Sequence, residues 1–390
     1  MAIKYIDRRG TDCAKWDGLL SVFGDPDLTA MWVADMDFEA APCIRNALRN
    51  YVDNVPLGYY QPSEDYFEAF IEWEKKYHGY EIEREWICFS PGIVSAFFWM
   101  TIIATNPGDS VITLTPVYYP MLNAVQYNDR KLIMCDLVKD GMSYSIDFER
   151  FEKDIVENEA KVFLFCSPHN PIGRIWKPEE IRQLMEICRK HDVLVISDEI
   201  HADFEWGEYK HVPTATLGDY DKFLVTMCAV SKTFNIAATQ NSFIIIPDPE
   251  LRAMYKDFQK RIQTESGNSF GYIATQAALE NGRPWFEEVK TLIYDNYCCV
   301  RDTFAKEIPE IGVAELQGTY LLWLDFGEYF KEQEAIEEFM EDKCRVAMDY
   351  GSWFGGDRFA GFVRMNLATS RENVEKVCAK IVEEVKKLRG

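Results

Sequence analysis

The sequence has no stretch both long and apolar enough to cross a bilayer. Its longest apolar run, Ile93 to Thr105, is closed by Pro91–Gly92 before it and Asn106–Pro107–Gly108 after it. That is well short of the ~20 residues a spanning helix needs and fits a buried helix, so no membrane partner is expected. Basic charge is also in short supply: 42 lysines and arginines face 64 aspartates and glutamates, a formal net charge of −22. An average surface of that sign repels nucleic acid, and no basic tail offsets it. Histidine is scarce at five residues, none in an H-E-x-x-H or comparable ligand spacing, and no metal site is expected. Cysteine is not scarce, at eleven residues, yet no C-x-x-C pair occurs and the only close pair is Cys298–Cys299. With no secretory leader read, these are expected to be reduced thiols of a cytoplasmic protein rather than a disulfide framework. No repeat period and no low-complexity tract is present, which excludes a solenoid.

What is present is ample material for a core. The 390 residues are 47% apolar and 14% aromatic, more than one simple core holds and suited to two or three packed units. Short apolar runs alternate with amphipathic stretches through the middle of the chain. Glu85–Ser90, Ser110–Thr115, Lys161–Cys166, Val193–Ser197, Lys222–Cys228 and Asn241–Ile246 read as strands. A helix opens near Gly92, and Pro178–His191 carries Ile181, Leu184, Met185 and Cys188 on one helical face. Such alternation predicts an α/β fold with a large, mostly parallel sheet covered on both sides. The ends read differently. Residues 1–45 are irregular and Glu64–Tyr77 is an aromatic-rich helix. Late in the chain come a strand Thr319–Phe326, a helix Glu334–Cys344, a strand Gly361–Leu367 and a helix Arg371–Leu388. The expected division is a large α/β domain over 46–284 and a smaller α+β domain made of 1–45 with 285–390.

In parallel sheets ligands collect at the carboxyl ends of strands, so the residues after each strand carry most information. They are Pro91-Gly92-Ile93-Val94, Pro116-Val117-Tyr118-Tyr119, Ser167-Pro168-His169-Asn170-Pro171-Ile172-Gly173, Asp198-Glu199-Ile200-His201 and Ser231-Lys232-Thr233-Phe234-Asn235. Taken singly each has an ordinary explanation. Gly92 suits a turn, Asp198 a helix cap, Lys232 a solvated surface, His201 a core position and Tyr118 simple packing. Together they offer a helix N-terminus, an aromatic face, an amide, a carboxylate, an imidazole and an amine. That is the set a phosphorylated pyridine aldehyde requires.

The ordered motifs N-P-x-G, D-E-x-x and S-K-x-F resemble fold-type I pyridoxal-phosphate enzymes of the class I/II aminotransferase superfamily. Met31-Trp32-Val33-Ala34-Asp35-Met36-Asp37-Phe38, Ser197-Asp198-Glu199-Ile200-His201, Ser231 to Ala237 and Gly361-Phe362-Val363-Arg364-Met365-Asn366 resemble its MalY/PatB subgroup of cystathionine β-lyase-like C–S lyases. The similarity runs over nearly the whole chain. It implies an aspartate aminotransferase-like fold, pyridoxal 5′-phosphate as cofactor and Lys232 as its covalent anchor and the catalytic residue. Asp198 would pair with the ring nitrogen, Asn170 with the phenolic oxygen and Tyr118 with the ring face. Gly92, Ile93, Val94 and Ser231 would serve the phosphate. Tyr59 would reach the phosphate of a neighbouring subunit, making the working unit a homodimer with active sites at the interface. Arg364 would clamp the α-carboxylate of an amino-acid substrate, and Val33 and Ala34 would line its pocket.

The chain departs from the superfamily pattern in places. Gln240 stands where many members have a phosphate-binding arginine, Ala229 where many have a serine, and Ile172 where threonine is usual. His201 takes the place of a common tyrosine, and the resemblance implies a ring-oxygen contact for it. The implied reaction is α,β-elimination from cystathionine or a related cysteine S-conjugate, giving a thiol, pyruvate and ammonia. Transamination with a 2-oxo acid uses the same lysine, aspartate and arginine and is the alternative. A regulatory, partner-binding role on the same fold is a further one. The preferred thiol substrate is not written in these motifs.

Overall fold

The protein is described by a computed structural model covering residues 3–389. Residues 1, 2 and 390, at the outer ends of the expected small domain, lie outside the described residues. A seven-stranded sheet forms the centre. In spatial order its strands are Ile87–Ser90, Ser242–Ile245, Leu224–Cys228, Leu194–Asp198, Val162–Cys166, Ser110–Thr115 and Lys131–Asp136. Ser242–Ile245 runs antiparallel to both of its neighbours, and the other adjacent pairs are parallel. The continuous apolar composition of Val162–Cys166 and Leu224–Cys228 follows from this placement. Every residue in both strands is buried, because helices cover both faces. Each fully buried Phe or Leu here contributes roughly 2 kcal/mol of transfer free energy.

The helix Ile93–Ala104 is apolar nearly all round and sits against the sheet, with Ile93, Ala96, Phe97 and Met100 buried. Pro178–Lys190 follows its sequence signals closely. It starts at a proline, Glu180 accepts the Lys177 N–H at 2.9 Å, and Arg189 and Lys190 occupy the last turn. Among the described residues no helix is long and apolar enough to cross a membrane.

A second, antiparallel sheet joins Gly312–Val313, Leu321–Asp325, Phe362–Asn366 and Asp349–Tyr350. The N-terminal segment packs with it. Thr29–Ala30 pairs in parallel with Val346–Ala347, and the Met31 carbonyl accepts from Asn366 N at 2.8 Å.

Three expectations needed adjustment. Lys131–Asp136 is a sheet strand that reads poorly as one, because it lies at the sheet edge with Lys131 exposed and a partly buried middle. The stretch read as one helix over Glu334–Cys344 is α-helical over Gln333–Glu338 and continues as a π-helical turn over Phe339–Lys343. The segment 1–45 is not wholly irregular: Leu19–Phe23 forms a short helix, ended by Gly24 at φ 74°. A left-handed residue there is what glycine permits at low cost.

Candidate functional site

Four parallel strands and one helix deliver their ends to a single cavity of about 170 Å³. It is lined by Ala34, Gly92, Ile93, Val94, Tyr118, Asn170, Asp198, His201, Ser231 and Lys232, together with Ser95 and Asn241. Larger hollows exist, one of about 780 Å³ around Asn296, Cys298 and Cys299, but none of the strand-end residues reaches it.

Asp198 closes its strand and is buried, accepting the Ile200 N–H at 3.1 Å. Removal from water pushes its carboxyl up to about 7, Glu199 adds to this, and the Ile200 N–H and Lys232 pull the other way. Its charge therefore lacks a full partner. Lys232 donates from Nζ to the Ala34 carbonyl at 2.6 Å. Burial lowers its amine to about 8, against the opposing pull of Asp35 and Asp198. A lysine in this state is readily a free, nucleophilic amine near neutral pH. His201 is held neutral by burial and by the nearby charges of Lys232 and Arg364, and its Nδ1 has no partner.

The helix Ile93–Ala104 begins at the cavity without a side-chain cap, so its first-turn N–H groups are open to an anion. Asn241 stands in the same lining. Its Oδ1 accepts from the Tyr66 hydroxyl at 2.7 Å, while its buried Nδ2 has no partner. An unclaimed amide donor beside an uncapped helix start is a place for a phosphate oxygen.

Arg364 does not line the cavity but reaches it through Asn170, whose Oδ1 accepts from Nη1 at 3.0 Å. Nη2 donates to Asp349, its antiparallel neighbour across the small sheet. The N-terminal segment that carries Val33 and Ala34 is held from several sides. Asn235 exchanges two hydrogen bonds with Met36, at 2.9 and 2.8 Å. Tyr320 donates to the Ala34 carbonyl at 2.8 Å, and Asn366 donates to the carbonyls of Val33 and Asp35.

Behind the cavity lies a buried ionic cluster. Asp203 accepts from Thr233 at 2.6 Å and from Trp73 at 3.1 Å, and lies 3.1 Å from His78 Nε2. Burial acts to raise Asp203, but His78 holds it below its usual range. Glu199 accepts from Ser197 at 2.8 Å and from the Thr214 N–H at 3.0 Å, and meets His211 at 3.0 Å. Thr233 and Glu199 are chain neighbours of Lys232 and Asp198, so this cluster fixes the backbone on which both are mounted.

Of the residues singled out from sequence, all but three share the cavity. Arg364 joins it at one remove. Val33 contributes its carbonyl to Asn366 and no cavity surface. Tyr59 is fully exposed and lies outside this chain's cavity. Gln240, in the place of the common arginine, is exposed and outside it as well. Sequence reading missed Ser95, Asn241, Tyr320 and Asp349. Asn241 alone had a usable signal, as the residue immediately after Gln240 and at the start of a strand.

A cavity with an amine, a carboxylate lacking a cation and an anion-binding helix end is that of an α/β enzyme acting on amines, and the chain belongs to the aminotransferase class I and II family, whose model matches residues 27–381. It is similar to cystathionine β-lyase PatB of Bacillus subtilis strain 168, 36% identical over 378 residues, spanning 96% of this chain and 97% of that one. Protein MalY of Escherichia coli strain K12 is 31% identical, with 99% of each chain covered. Among solved structures, cystalysin from Treponema denticola, which contains a pyridoxal 5′-phosphate cofactor, superposes with a TM-score of 0.95 at 34% identity over 100% of each chain.

Proposed function

We propose that this chain is a pyridoxal-phosphate-dependent carbon–sulfur β-lyase acting on cystathionine or related cysteine S-conjugates. The observation that carries the reading is the joint presence, in one cavity, of Lys232, Asp198 and the uncapped helix start at Gly92. The groups present fit the cofactor: Asp198 is a buried anion short of a cation, and Asn241 Nδ2 is a buried donor short of an acceptor.

When bound, pyridoxal phosphate supplies an aldehyde that takes up an amine and a ring that accepts the electron pair left at an amino acid's Cα. Lys232 would be its covalent anchor, and the neutral amine of Lys232 would serve as the base for the Cα proton. Asp198 would hold positive charge at the ring nitrogen. Asn170 and His201 would serve the ring's oxygen, and Tyr118 its face. Gly92, Ile93, Val94, Ser95, Ser231 and Asn241 would receive the phosphate. Arg364 takes the substrate's α-carboxylate, the task its planar fork suits. Ala34 bounds the substrate side, and Val33 stands behind it, its carbonyl held by Asn366. Overall, one S-substituted cysteine and one water give a thiol, pyruvate and ammonia.

The working unit is a homodimer with Tyr59 entering the partner's site. The exposure of Val55, Leu57 and Tyr59 on one extended segment supports this. The proposed division is a large domain over 46–284 and a small one from 1–45 with 285–390, supported by the pairing of Thr29–Ala30 with Val346–Ala347. Eleven unpaired cysteines support a cytoplasmic location.

The test is to give the protein cystathionine alone. Sustained pyruvate release supports the lyase, while turnover that requires an added 2-oxo acid assigns it to transamination instead.

A further inference from the structure

Asp349 and Arg364 are register partners on neighbouring antiparallel strands, and both side chains are 2% exposed. The guanidinium donates to Asp349 Oδ2 through Nη2, to Asn170 Oδ1 at 3.0 Å and to the Trp32 carbonyl at 3.4 Å. Two atoms of the pair, Arg364 Nε and Asp349 Oδ1, are buried without any partner. Phe354 lies 5.0 Å from the guanidinium carbon, so water has little access from that side. The arginine's charge is therefore already cancelled within the chain. A second carboxylate docking on it would leave two buried anions sharing one cation, which is strongly unfavourable at this depth.

We propose that Asp349 is a specificity-determining residue that competes with the substrate's α-carboxylate for Arg364, so that an amino acid binds together with one proton taken from solvent onto Asp349. This rests on the reading of Arg364 as the carboxylate clamp. The proton neutralises Asp349, no other bond is made or broken in the exchange, and the guanidinium's charge passes to the ligand. Burial already pushes Asp349 up to about 6, against the pull of Arg364, which brings that proton within reach near neutral pH. The other titratable groups around it are the phenols of Tyr118, Tyr119 and Tyr350, all raised by burial and neutral there. Beyond them, Glu341 accepts from the Tyr350 hydroxyl and Asp198 faces Tyr118. An amine lacking a carboxylate gains nothing from the exchange. Preference for an amino acid over its decarboxylated amine should thus shrink as pH rises.

The experiment uses the cofactor-loaded protein and two ligands that cannot undergo β-elimination, L-alanine and ethylamine. Binding of each is followed by the change in the cofactor's visible absorption between about pH 5.5 and about pH 8.5. Protons that belong to the amine and the cofactor cancel in the ratio of the two dissociation constants. In the wild type, the alanine constant should weaken relative to ethylamine by about tenfold per pH unit above Asp349's titration. Asp349→Asn and Asp349→Ser should both bind with a ratio that stays flat. A flat wild-type ratio overturns the proposal and needs no variant to fold; so does an Asp349→Asn ratio as steep as the wild type's. Arg364→Lys separates the two readings. If it leaves the ratio unchanged at every pH, the clamp itself is misassigned. If it weakens alanine relative to ethylamine while the wild-type ratio is flat with pH, only the role of Asp349 fails.

Discussion

Substituting His78 by glutamine should remove part of the alkaline loss of stability expected of the wild-type chain. The His78 side chain is buried at the end of the Glu64–His78 helix, with Glu74 one turn before it and Asp203 3.1 Å from Nε2. Burial disfavours its charged form, but Glu74 and Asp203 outweigh this and hold the imidazole up at about 9. An unfolded histidine titrates near ~6.5. A folded value above the unfolded one means the contribution is complete below ~6.5 and is lost as pH climbs through 9. The gap of roughly 2.5 units, at ~1.4 kcal/mol each, sets a ceiling of about 3.5 kcal/mol, and Glu74, which shares the titration, keeps the contribution below it. Burial raises Glu74 to about 7, so it also binds its proton more firmly when folded, and its contribution falls with rising pH too. Thermal unfolding of both proteins from about pH 6 to about pH 10 makes the comparison. The wild-type advantage should be greatest near pH 6 and should fade by several degrees toward pH 10. A wild-type-minus-variant difference that stays constant across that range would refute the linkage, which includes the response of Glu74 and Asp203 to loss of the imidazole.

Other substitutions address the cavity directly. Asp198→Asn should lower kcat by about 10²–10³-fold while leaving the cofactor reducible onto Lys232, because the charge beside the ring is lost and the anchor is not. Unchanged turnover would sink the role given to Asp198. Arg364→Lys should raise KM by about tenfold or more for amino acids, since a point charge cannot replace a bidentate fork; a steady-state titration with cystathionine reads this directly. Asn241→Ala should weaken cofactor retention by about tenfold, the value of one hydrogen bond to a charged group, measured by rebinding after dialysis. Equal retention would mean that Nδ2 does not meet the phosphate.

The central sheet and the cavity were legible because each strand end carries a polar motif immediately after a run of apolar residues. Ser167 to Gly173, Asp198 to His201 and Ser231 to Asn235 could be placed at one sheet edge without coordinates. What escaped depends on contacts between segments far apart in the chain. Asp349 matters only because the register of the small sheet sets it opposite Arg364. Tyr320 matters because its hydroxyl crosses to Ala34. Glu74, His78, Asp203 and His211 carry no motif of their own, and their burial with Glu199 as a paired cluster appears only once the Glu64–His78 helix is packed beside the Ser231–Asn235 turn. The edge strand Lys131–Asp136 was hidden for the opposite reason, since partial exposure blurs its apolar pattern.

The account depends most on the bond between the cofactor's aldehyde and Lys232. Reduction of the holoprotein with borohydride, followed by digestion and peptide mass analysis, tests it directly. The account predicts the mass of the reduced cofactor on the peptide containing Lys232 and on no other. Finding that peptide unmodified, or the label on a different lysine, would contradict it.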